Sequence, residues 1–258
     1  MELGLGHGTS SCRHLAGLPY NVGWRRRYQT RASPMRLVAV SAGVVAIALT
    51  DMSPIGVNDE KFLSMHMVGH DVYIWIVAPL MVWGLVPLFG AAGHLPKAMR
   101  QLLTFLTHPV VAWVASTTLL WVWHLPANYD RTLSNSAIHG LEHACFITGY
   151  VIYWWPLIAA PGAVGGLHMN AARAGYLLAG AMQSAVLGAL IMFHGSVIYP
   201  HYMDLRGLAG SSSLADQGLA GAIMLFPGAA VFVLAAAFLI TPGSTISANT
   251  LSVNTAST

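Results

Sequence analysis

Five apolar runs, near residues 66–89, 106–124, 138–159, 172–194 and 217–240, constrain this chain more than any other feature. The run from His66 to Phe89 is 24 residues long. At about 1.5 Å per residue it crosses a hydrocarbon core of about 30 Å with some tilt. A shorter run beginning at Met35, MRLVAVSAGVVAIALT, reads as a signal anchor or, alternatively, as a cleaved signal peptide. Only 8% of the residues are charged and 55% are hydrophobic, whereas a soluble domain carries about 25% charged residues. The expected fold is therefore all-α, a polytopic bundle with about six transmembrane helices in a lipid bilayer. Pro79, Pro87, Pro156 and Pro227 fall within or near the ends of the runs, as membrane helices tolerate. Trp75, Trp83, Trp121, Trp123, Trp154 and Trp155 lie mostly toward helix ends, where interfacial aromatics collect.

Outside the runs the chain changes character. Residues 1–34 are rich in Gly, Ser and Arg and read as a disordered extension, or as sequence upstream of a start at Met35. Residues 35–240 form the transmembrane domain, and 241–258 a polar tail. Arg13, Arg25, Arg26, Arg27, Arg31 and Arg36 supply half of the 12 Lys and Arg residues. Because they abut a hydrophobic segment, they read as a cytoplasmic retention signal and not a nucleic-acid site. With the N-terminus inside, Lys97, Arg100 and Arg173 then fall in inner loops. Cys12 and Cys145 are far apart and form no CxxC pair, so neither a disulfide framework nor a thiolate zinc site is expected.

Twelve histidines in so apolar a chain need an account. With alternating helix directions, His66, His70, His124, His139, His143 and His194 all lie at one face of the bilayer, with His201 in the adjoining loop. His94, His108 and His168 lie at the other. His66/His70 and His139/His143 are i, i+4 pairs, each placing two imidazoles on one helix face about 6 Å apart. Two such pairs plus His124 give five candidate ligands for a metal that prefers imidazole: copper, zinc or iron. Asp71, Asp130, Glu142 and Asp216 are placed to orient an imidazole through its second nitrogen. Met65, Met67 and Met192 add soft sulfur, which suits Cu(I). His94, His108, His168 and His201 read as ordinary interfacial residues.

The strings HMVGHD (66–71), LWVWHLPANYD (120–130), HGLEH (139–143), YWWP (153–156), YPHY (199–202) and LADQGLAGAIM (214–224) resemble the CtaG family of cytochrome c oxidase assembly factors. These are polytopic bacterial membrane proteins associated with copper delivery. The resemblance implies a copper-handling, non-enzymatic protein of the bacterial inner membrane that acts on oxidase subunits. It places His66, His70, His124, His139 and His143 at the family's histidine positions, and Tyr129, Asp216 and Gln217 at its polar positions. Phe226 stands before Pro227 where the family often has tryptophan. Two other functions fit parts of the pattern. His139-Gly-Leu-Glu142-His143 matches H-x-x-E-H, the pattern of an inverted zinc protease. A haem-binding electron carrier would need its axial imidazoles from different helices, because an i, i+4 pair cannot ligate opposite faces of one iron.

Overall fold

Proline and small polar residues punctuate the helices in a computed structural model that describes residues 34–90, 96–158 and 170–240. Helix α1 (Pro34–Met52) is followed by a single turn, α2 (Pro54–Val57), whose N-cap Ser53 accepts from the Ile55 amide at 3.1 Å. Helix α3 (Leu63–Val72) passes through one π-helical turn (Tyr73–Val77) into α4 (Ala78–Gly90). A short α5 (Lys97–Leu106) precedes α6 (Pro109–Trp123), and α7 (Pro126–Ser134) precedes the long α8 (Ser136–Ile158). Both α6 and α7 begin with proline at a position where the missing N–H costs nothing. Asn135 starts α8 by accepting from the amides of Ala137 and Ile138, at 2.9 and 3.2 Å. Helices α9 (Asn170–Phe193) and α10 (Ser213–Ile240) complete the described chain, joined by a loop with two 3-10 turns. There is no strand among the described residues.

All five expected apolar runs are helices. Among the described residues three spans are long and apolar enough to cross a membrane: Pro34–Val57, Leu63–Val86 and Ala171–Phe193. A fourth forms if α5 and α6, bent by 68°, are one span. Thus the run at Met35 is longer than its sequence suggested, because α2 extends α1. Helix α8 is 23 residues long but falls short of that apolarity. It carries His139, Glu142, His143, two tyrosines and two tryptophans.

The core lies where α3, α4, α6, α8, α9 and α10 meet. Tyr73, Val77, Ala78, Val82, Phe146, Tyr153 and Leu177 are almost fully buried there. The Trp154 indole donates to the Ile74 carbonyl at 2.8 Å, tying α8 to the π turn. Glycines set the closest approaches. A Cβ on Gly149 of α8 would lie 2.6 Å from Leu119 of α6, and one on Gly221 of α10 only 2.4 Å from the Met192 amide of α9. Asp216, at the start of α10, accepts from the Ser64 hydroxyl at 2.6 Å and the Ser64 amide at 3.2 Å. That contact fixes the first turn of α3, the turn that carries His66.

Candidate metal centre

The i, i+4 spacing turns His66 and His70 of α3 toward α8, and His139 and His143 of α8 toward α3. Ring centroids lie 4.4 Å apart for His66/His70, 4.3 Å for His139/His143 and 5.3 Å for His66/His139. His124, capping the C-terminus of α6, is 5.8 Å from His70. The five imidazoles expected to cluster therefore do so. His108 is exposed at the other end of α6, about 22 Å away along a 15-residue helix. His194 and His201 bond to the carbonyls of Ser196 and Glu60, at 2.8 and 2.9 Å, and stay outside the cluster. His94 and His168 lie outside the described residues.

Glu142 is at the centre. Its Oε2 lies 3.5 Å from His66 Nε2 and its Oε1 3.6 Å from His70 Nε2, with Glu142 and His66 side chains 0% exposed. Both ring nitrogens of His66 and His70, Nε2 of His139 and both oxygens of Glu142 are buried without a hydrogen-bond partner. Leaving one such group unmet typically costs about 1–3 kcal/mol. Seven together mark a place built for a ligand that takes one lone pair from each neutral imidazole and those of the carboxylate. Among the described residues the donors group into three triads with ligand atoms within 4.8 Å of one another: Asp59/His66/His139, His66/His70/Glu142 and His139/Glu142/His143. These residue types and separations fit a metal ion that takes nitrogen and oxygen donors.

The remaining nitrogens are oriented. Nδ1 of His124 lies 2.7 Å from the Leu120 carbonyl, which can only accept, so Nδ1 carries the proton and Nε2 presents its lone pair. That Nε2 is 3.4 Å from the buried Met67 sulfur. Nδ1 of His143 is 3.2 Å from the Tyr73 hydroxyl, which is also bonded to Asp51. Asp59 Oδ2 lies 3.4 Å from His139 Nε2. Burial raises the Asp59 carboxyl above its ordinary range, while His66 and His139 pull it down.

Several supporting residues sit elsewhere than the sequence suggested. Glu142 faces the imidazoles directly, with its two oxygens toward His66 and His70. Asp71 accepts from the Trp75 indole at 3.1 Å, on its own helix. Asp216 holds Ser64 and the Leu208 amide, so it positions α3 without touching an imidazole in the described contacts. Tyr129 does pack on His66, at 4.9 Å, and its hydroxyl meets that of Tyr202 at 3.4 Å. Met192 lies at the α9–α10 crossing. Asp51 and Asp59, which no motif in the sequence singles out, are the carboxylates beside His143 and His139. Gln217 joins α10 to the loop after α9 through Ile198 and Ser196.

An all-α bundle with membrane-spanning helices and a buried imidazole–carboxylate centre defines a polytopic membrane protein with a candidate metal site. The family model of the cytochrome c oxidase caa3 assembly factor (CtaG) matches residues 19–242, and the chain belongs to that family. Searches of curated proteins and of solved structures return no match.

Proposed function

We propose that this assembly factor carries copper as cargo and passes it to a cytochrome c oxidase subunit at the surface of a bacterial plasma membrane. The observation that carries this reading is the set of buried, unpartnered donors on His66, His70, His139 and Glu142. Neutral imidazoles with a thioether beside His124 suit Cu(I) or Cu(II) better than magnesium or calcium, which take oxygen donors. The role is one of binding and release, with no bond in a substrate made or broken.

One feature favours a zinc protease: His139, Glu142 and His143 form one of the donor triads. A general base must hold a water beside the metal. Here Glu142 is instead wedged against two further imidazoles from α3, which an H-x-x-E-H protease does not require. A haem would have to part imidazoles whose centroids lie 4.3–6.2 Å apart.

The deciding experiment is copper retention and oxidase maturation in His70→Ala beside His108→Ala. The first variant should lose copper and mature oxidase, and the second should match wild type. Equal loss in both, or retention in both, removes the copper reading. A zinc-dependent cleavage activity abolished by Glu142→Gln, with metal still bound, would replace it with the protease.

A further inference from the structure

We propose that the centre holds two monovalent copper ions at once, an inner one on His66 and His70 and an outer one on His139 and His143, with Glu142 bridging them. The inference rests on the copper reading above and sharpens it to a nuclearity and a charge.

The donor geometry is the starting point. A single four-coordinate ion with bonds of about 2.0 Å brings all four donors within about 3.3 Å of one another. Among the described residues the donors instead fall into three triads, each held within 4.8 Å. The triads share three residues pairwise: His66, His139 and Glu142. Which triads can fill together depends on what the shared residue offers. A neutral imidazole has one lone pair, so His66 or His139 cannot serve two ions through one nitrogen. A carboxylate has two oxygens, and both oxygens of Glu142 are free of hydrogen bonds. Only the two triads that meet at Glu142 can therefore be occupied simultaneously. That division also gives each i, i+4 pair its own ion: α3 supplies one, α8 the other.

Charge sets the oxidation state. Glu142 is fully buried, and Asp59, next to His139, is nearly so. Two buried carboxylates balance two Cu(I) ions, the third, Asp51 beside His143, being 46% exposed and so screened by solvent, whereas two Cu(II) ions would leave an excess of positive charge in a buried site, which is costly. The two positions also differ in access. His66 and His70 side chains are 0% and 3% exposed, against 14% and 20% for His139 and His143. The outer ion is the one a partner reaches first, and the inner one can follow through Glu142.

The test is anaerobic titration of the purified full-length protein with Cu(I) against a chromophoric Cu(I) chelator. X-ray absorption on the loaded wild type then looks for copper–copper scattering. Two ions per chain with that scattering are expected. His66→Ala/His70→Ala and His139→Ala/His143→Ala should each halve the stoichiometry, and Glu142→Gln should remove the copper–copper feature. The wild-type measurements stand alone if a variant fails to fold. One ion per chain, or two without copper–copper scattering, overturns the bridged pair and leaves the copper reading intact. No bound copper removes both.

Discussion

Glu142 and Asp59 are both buried acids beside imidazoles, but only Asp59 lies in a loop between helices, where its protonation couples simply to folding. Burial raises its carboxyl in the folded protein. The fold therefore binds that proton more tightly than the unfolded chain does. The stability this contributes is present at low pH and is lost as pH rises through the raised value. Above that raised value the ionised Asp59 costs stability and, in return, places negative charge beside His139. Asp59→Asn should consequently leave the melting temperature of the metal-free protein at neutral pH unchanged or higher. The same change should weaken copper retention by about 10–100-fold, the usual effect of removing a group that orients a ligand. Thermal unfolding in detergent and chelator competition measure the two effects; a large fall in melting temperature would make Asp59 a structural ion-pair partner instead. The histidines were readable because i, i+4 spacing is a local signal. Asp51 and Asp59 were not, since one lies on α1 and the other in the turn before α3, each meets an imidazole of α8 only in the folded bundle, and no spacing in sequence encodes that.

Helix packing depends on a few small residues, and the crossing of α9 and α10 is the clearest case. A Cβ on Gly221 would meet the Met192 amide at 2.4 Å and the Gly188 carbonyl at 2.6 Å, backbone atoms that cannot rotate away. Gly221→Ala must push the two helices apart. Overpacking of this kind typically costs about 1–3 kcal/mol. Gly175, on α9, has open space where its Cβ would go. There alanine should be neutral or should stabilise the helix by up to about 1 kcal/mol. Melting temperatures of the two variants should thus move in different directions, and a similar fall in both would mean that the crossing is not tightly packed. Because α10 also anchors Ser64 through Asp216, Gly221→Ala should lower copper occupancy as well. The apolar runs revealed the long helices, but not α5, α7 or the π turn. The α7 sequence PANYDRTLS is polar and short, and its place comes from Tyr129 and Leu133 packing into the core. The π turn follows directly after His66 and His70, where such insertions often mark functional sites.

At the scale of the whole molecule, function requires that the histidine centre open on one side of the membrane, and α5 and α6 report which side. Helix α5 is cleanly two-faced. Lys97, Arg100, Gln101 and Thr104 share one side, while Met99, Leu102 and Phe105 on the other are 47%, 50% and 61% exposed. Such a helix lies along a bilayer surface with its apolar side in lipid and its basic residues among the head groups. The 68° bend into α6 agrees with that placement, since α6 can then turn into the membrane. His124 ends α6, so the metal centre and the following α7 emerge on the side opposite α5. Basic residues favour the cytoplasmic side, which puts Lys97 and Arg100 inside and the histidine centre outside, the side on which the proposed copper transfer would take place. In a background with Cys12 and Cys145 replaced by serine, Ser134→Cys should react with a membrane-impermeant maleimide in intact cells. Gln101→Cys should react only after the membrane is permeabilised. The reverse pattern would keep the helix arrangement and turn the centre to the cytoplasm, ending the proposal that copper is handed over at the outer surface. Labelling of both from one side would mean that α6 does not carry the chain across the bilayer.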